Sequence, residues 1–157
     1  DRQGGSLRVE LRHARGTSSI VERTLAAEAW LTHPQAFAGL QGRVERVRDR
    51  LRALVADRAG DYLVGYGAPA KATTLLNFCG VDAGQMKIVT DTTTAKQGRY
   101  IPGTGIKIVA PEEAADRRID TYLLLAWNYL TAITRNEVEF TRNGGRWIVP
   151  IPVPTLL

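Results

Sequence analysis

From residue 61 onward the apolar residues of this chain come in short, nearly unbroken runs, each followed by a polar or amphipathic stretch. The runs are "YLVGYG" (62–67), "KIVTD" (87–91), "IKIVAP" (106–111), "TYLLLAW" (121–127) and "RWIVPIP" (146–152). Continuous rather than alternating apolarity is what strands show when both faces of a parallel sheet are covered. Helical patterns fit between most runs, over residues 69–79, 111–116 and 129–142, the last closed by "NGG". Strand–helix alternation with right-handed crossovers predicts an α/β fold, a Rossmann-like, doubly wound, mainly parallel sheet of five strands with helices on both faces.

The first sixty residues have a different texture. One short strand is expected over residues 6–11, then two helices. The first spans about 18–31, with Ser18 or Ser19 as its cap, and the second begins near Pro34 and ends near Gly60. In that second helix Leu40, Val44, Val47, Leu51 and Leu54 form one stripe, and arginines fill the other face. The expected division is therefore residues 1–60, a strand and helical segment, and 61–157, the sheet domain.

Composition bounds the class. A hydrophobic content of 44% and a charged content of 24% are those of a globular domain. No apolar run nears the roughly 20 residues that cross a bilayer, so no membrane partner is expected. The net charge of +5 is largely arginine on the second helix, with no aromatic residues interleaved to stack on bases. That reads as a solvated face, not a nucleic-acid surface, while the basicity favours an anionic small ligand. The single Cys79 excludes an internal disulfide, fits a reducing, cytoplasmic setting, and reads as a small buried hydrophobe. With His13 and His33 far apart it offers no metal-ligand spacing.

In an open parallel sheet ligands bind beyond the carboxyl ends of the strands. After the first run comes "GYGAPAK": Gly65, Tyr66, Gly67, Ala68, Pro69, Ala70 and Lys71. Two glycines allow close backbone approach, Pro69 suits a first helical turn, and free amides with Lys71 would face an anion. Neither the Walker spacing nor the full GxGxxG fingerprint is present. A phosphate cradle and a tight turn with a surface lysine are both consistent with these residues. Asp91, at the end of the second run, either accepts from a ribose hydroxyl or caps its loop. The long polar connection that follows offers Lys96, Gln97, Gly98, Arg99, Tyr100, Pro102, Gly103 and Thr104. Its cations could join Lys71 at a diphosphate, and Tyr100 could stack on a ring. The fourth run ends in Trp127 and Asn128, the latter either a helix cap or a ligand contact. No nucleophile–base pair or carboxylate dyad stands among these positions, so no catalytic residue is expected in this chain.

These residues carry a resemblance. "GYGAPAK.TTLLN", "D....KQGRYIPGT", "LLLAWN" and "GGRWIVPIPVP", in this order, resemble the C-terminal domain of S-adenosylmethionine-dependent sugar C-methyltransferases, which build branched deoxysugars from nucleoside-diphosphate sugars. The match covers residues 4–154, and "GGSLRV" looks like the joint after the methyltransferase domain. Ala72, where the family often has glycine, and "TTTA" before Lys96, where Ser-Pro is common, depart from the pattern. The resemblance implies that the chain is cut from a longer enzyme. Its zinc region and central methyltransferase fold would hold the zinc, the S-adenosylmethionine and the catalytic base. This domain would hold the nucleotide-sugar, a dTDP-sugar in the first instance, and close on the central domain. Gly65–Lys71 would embrace the diphosphate, Lys96–Thr104 would line the nucleotide-sugar side, and Trp127 and Asn128 would sit at the mouth. Alone, the chain is expected to be inactive, and its uncovered apolar surface could drive homodimerisation. The rival readings are an NAD- or CoA-type Rossmann domain and an interaction domain without a ligand.

Overall fold

The computed structural model describes residues 8–11, 13, 16–60, 62–115 and 117–157. These fall into two compact units, Asp1–Glu45 and Arg46–Leu157.

In the first unit, α1 (Ser19–Glu28) is capped by Ser18, whose hydroxyl accepts the Val21 amide at 3.4 Å. The helix expected to reach residue 31 tightens after Glu28 into a 3₁₀ turn, Ala29–Thr32. The second expected helix is also divided. Pro34 opens a separate 3₁₀ turn, Pro34–Phe37, and Gly39 at φ +72° breaks the chain before α2 (Leu40–Arg58). Of the strand expected over residues 6–11, Ser6 and Leu7 lie outside the described residues, and Arg8–Leu11 is irregular. No described segment pairs with it, and a strand persists only where its backbone groups find partners.

The second unit is built on a sheet of order β3-β2-β1-β4-β5-β6. β1 (Leu63–Tyr66), β2 (Ile88–Thr90), β3 (Lys107–Val109), β4 (Thr121–Leu124) and β5 (Arg146–Val149) are parallel. The sheet has six strands, one more than the five expected. β6 (Thr155–Leu156) folds back antiparallel on β5, pairing Leu156 with Ile148 and Thr155 with Val149. Two residues behind a proline-rich stretch make no apolar run that periodicity could detect.

Strand residues alternate between two buried faces. On one, Leu63, Val89, Ile108, Leu123, Leu125 and Ile148 pack against α3 (Ala70–Cys79) and the later turns of α2, through Leu76, Cys79, Leu51 and Val55. Cys79 is fully buried there, and burial pushes its thiol up from the ordinary range. On the other face α4 (Pro111–Ala115) covers Val64, Ile88 and Val109 through Ala114. α5 (Leu130–Asn136) and α6 (Val138–Arg142) cover Tyr66, Tyr122, Leu124 and Trp147. The expected single helix over 129–142 is thus a 3₁₀ turn (Trp127–Tyr129) and two short helices broken at Glu137. At the break the Glu137 carboxylate accepts the Tyr66 hydroxyl at 2.8 Å, while Phe140 of α6 turns into the aromatic cluster, 4.7 Å from Tyr122 between ring centres.

Part of the basic face of α2 is engaged locally. Arg48 pairs with Asp49 at 2.8 Å, Arg58 with Asp57 at 3.0 Å, and Arg50 donates to the Pro154 carbonyl.

Gly65 sits inside β1, in register with Val89 on one side and Leu123 on the other. A Cβ there would stand 2.8 Å from Val89 Cγ2 and 3.2 Å from Leu125 Cδ1, so the glycine is required by packing. Gly65→Ala is expected to destabilise the domain by about 1–3 kcal/mol, read as a lowered urea midpoint with an unchanged slope.

Candidate functional site

The chain leaves β1 toward β2 on one side, and after β3 it crosses to β4 on the other. The loops after β1 and β4 therefore diverge, and a crevice opens between them at the carboxyl edge of the sheet.

The first lip is residues 67–70. Gly67 adopts φ +78°, its amide donates to the Thr90 carbonyl at 2.8 Å, and a Cβ on it would lie 3.1 Å from Ala126. Pro69 caps α3 with extended backbone (φ −72°, ψ 160°), and its ring stands where an amide would otherwise go unbonded. The Ala72 amide turns back to the Pro69 carbonyl at 2.9 Å, leaving the first-turn amides of Ala70 and Lys71 without intrahelical acceptors. With the helix dipole they make this lip electropositive.

The second lip follows β4. Leu125 and Ala126 both donate to the Tyr66 carbonyl, at 3.0 and 3.4 Å, and the chain then turns through Trp127 and Asn128. Lys71 spans the crevice from the first lip. Its ammonium lies 4.1 Å from the centre of the Trp127 ring and donates to Asn128 Oδ1. Burial lowers the Lys71 pKa from its ordinary value.

Asp91 and Lys96 meet behind the first lip. Asp91 Oδ2 accepts the Ala68 amide at 2.8 Å and the Lys96 ammonium at 3.1 Å. Asp91 Oδ1 accepts the Thr93 amide at 2.8 Å. Lys96 also donates to the Ala68 carbonyl at 3.1 Å, and Gln97 donates its side-chain amide to the Asp91 carbonyl at 3.0 Å. Burial works to raise the Asp91 pKa, but hydrogen bonds from Thr93, Ala68 and Lys96 outweigh it and hold the carboxyl at about 2. Asp91 is thus hydrogen-bonded to the loops on either side of it.

The remaining residues of the long connection are led away from the crevice. Gly98 donates to the Ile108 carbonyl at 2.9 Å, Ile108 donates to the Arg99 carbonyl at 2.8 Å, and Tyr100 bridges Lys107 in antiparallel fashion. Residues 98–101 thus cover the open edge of β3, with Arg99 and Tyr100 exposed. Pro102, Gly103 and Thr104 stand at the opposite end of α3. The Asn77 side chain donates to the Pro102 carbonyl at 3.0 Å, a Cβ on Gly103 would collide with Asn77, and the buried Thr104 hydroxyl bonds within its own turn. Tyr66 is likewise turned from the crevice into the aromatic cluster, where burial and the Glu137 carboxylate raise its pKa strongly. Of the predicted positions, the structure gathers Gly67, Ala68, Pro69, Ala70, Lys71, Asp91, Lys96, Gln97, Trp127 and Asn128.

Sequence reasoning missed Ala126, against which Gly67 packs, and Glu137, the partner of Tyr66. Neither carries a local signal. A separate cavity of about 200 Å³, lined by Asp57, Arg58, Tyr62, Asp120 and Thr121, lies at the amino edge of the strands. Among the described residues no three of His, Cys, Asp and Glu cluster to hold a metal, and no helix is long and apolar enough to cross a membrane.

A six-stranded, mostly parallel sheet whose strand order reverses between β1 and β4 defines a Rossmann-like domain, and in such sheets ligands bind at that edge. The chain belongs to the C-methyltransferase C-terminal domain family, whose profile matches residues 1–152. It is 48% identical over 122 residues to the C-methyltransferase NovU of Streptomyces niveus; the aligned stretch is 77% of this chain and 29% of that protein. The chain thus spans well under half of the relative it matches.

The Asp91 hydrogen bonds make a pH prediction. Its carboxyl is held near 2 in the fold, below the 3.8 of a free aspartate, so the folded state releases that proton more readily than the unfolded one. The stabilisation is present above about pH 4 and is lost as pH falls toward 2. Urea unfolding of Asp91→Asn should show lower stability than wild type at pH 7 and a shallower decline between pH 4 and 2.

Proposed function

We propose that this chain is the nucleotide-sugar-binding domain of a C-methyltransferase that takes its methyl group from S-adenosylmethionine and acts on a nucleoside-diphosphate keto-deoxysugar. The crevice between the β1 and β4 loops supports the reading above all, with Lys71 and the α3 amides on one lip and Trp127 and Asn128 on the other. An anion entering there meets a cation and a helix N-terminus, and a diphosphate fits that charge. Family membership points the same way.

In the complete enzyme, a base on another part of the protein would remove the proton beside the sugar's keto group, and the resulting enolate would attack the methyl donor. The donor and any zinc would be held by that other part. This domain contributes position. Lys71 and the helix amides fix the diphosphate, which fixes the reacting carbon relative to the donor and keeps water from it. In this reading the crevice residues bind and orient, proton abstraction belongs to the other part of the protein, and the chain alone methylates nothing.

Calorimetric titration of the purified chain with dTDP, UDP, NAD and S-adenosylmethionine tests this. A nucleoside diphosphate should bind, with NAD and S-adenosylmethionine silent, and Lys71→Ala should weaken binding by roughly tenfold or more. Binding of NAD alone would instead make this a dinucleotide domain.

A further inference from the structure

We propose that Asp91 and Lys96 are positioning residues for the crevice, clamping the turn after β1 through the amide and the carbonyl of Ala68 and touching no ligand themselves. The inference rests on the nucleotide reading above and deepens it.

Three groups close a triangle: Ala68 N–H to Asp91 Oδ2 at 2.8 Å, Lys96 Nζ to the same oxygen at 3.1 Å, and Lys96 Nζ to the Ala68 carbonyl at 3.1 Å. The second Asp91 oxygen is taken by the Thr93 amide at 2.8 Å. With both oxygens engaged and its side chain only 9% exposed, this carboxylate is not presented to a ribose diol. Lys96 likewise has two acceptors within the protein, and its ammonium offsets the negative charge that Asp91 would otherwise bring against the Ala68 carbonyl.

The clamp acts where the chain needs it. Gly67, at φ +78°, has no Cβ to restrict its rotation, and Pro69 supplies no amide for anchoring. Ala68, between them, has both backbone groups held by side chains, its amide by Asp91 and its carbonyl by Lys96. Fixing it sets the direction in which the Ala70 and Lys71 amides and the Lys71 stem enter the crevice. Sequence position alone leaves Asp91 either on a ribose or capping its loop, and offers Lys96 to a phosphate. The geometry points to both working one step behind the ligand, and to a crevice that does not read the 2′-hydroxyl through Asp91.

The test uses the whole 157-residue chain with Asp91→Asn, Lys96→Met, Lys96→Arg and the Asp91→Asn/Lys96→Met double variant. Calorimetry with dTDP and UDP is run beside amide NMR of Ala68. Each of Asp91→Asn and Lys96→Met should weaken both nucleotides by the same factor, roughly tenfold. The double variant should be no weaker than the worse single one, because the residues act as a unit. The Ala68 amide proton should shift upfield in Asp91→Asn, which weakens its acceptor, and should also move in Lys96→Met, which removes the cation sharing that oxygen; Lys96→Arg should restore most of the affinity. Lys96 is part-exposed, so its variants remain folded even where Asp91→Asn is destabilised.

A loss confined to UDP in Asp91→Asn would place the carboxylate on the ribose and overturn the clamp. So would losses that multiply in the double variant, or an Ala68 signal that stays where it was. If wild type binds neither nucleotide the functional reading fails, and the Ala68 shift, which needs no ligand, still decides whether the clamp exists.

Discussion

β1 is the constraint on which the rest of this domain depends. It is four residues long, hydrogen-bonded on one edge to β2 and on the other to β4, and buried on both faces. Because the connections after it run in opposite directions, its carboxyl end is where the two loops part. The Tyr66 carbonyl accepts from Leu125 and Ala126, while Gly67 donates to Thr90, so the last residues of β1 fix the start of both lips and the end of β2. The bare Gly65 lets Val89 and Leu125 close over the strand, and Tyr66 anchors the α5–α6 junction through Glu137. A chain with bulk at 65 or without the turn at 67 would have no crevice in this place.

The parallel core was legible because burial on both faces leaves an unbroken apolar run, and all five parallel strands fall inside such runs. What periodicity could not show were features set by tertiary contacts. β6 is too short to have a pattern. The break at Glu137 is accompanied by a hydrogen bond to a residue 71 positions away. The division of the N-terminal helices at Gly39 depends on a left-handed residue that looks, in sequence, like any glycine within a helical stripe.

The crevice was legible in part. Position after a strand correctly brought Gly67, Lys71, Trp127 and Asn128 to one edge. It failed to separate residues within the long connection, because a loop of this length passes from one edge of the sheet to the other. Its first residues stand at the crevice, its middle covers β3, and its last turn meets the far end of α3 at Asn77. Composition is nearly the same along its length, so only the hydrogen bonds to β3 and α3 distinguish the parts.

Charge follows the same division. Three cations, Lys71, Lys96 and Arg99, look in sequence like one phosphate clamp. In the fold Lys96 satisfies a buried carboxylate and a carbonyl, Arg99 lies beside an edge strand, and Lys71 alone reaches across the crevice. The positive charge there comes from one partly buried ammonium and the start of a ten-residue helix. Such a site is modest in charge and strict in direction, because helix amides favour an anion only along their own axis. Strictness of this kind suits the role proposed for the domain, to hold one end of a long substrate while the other end reacts elsewhere.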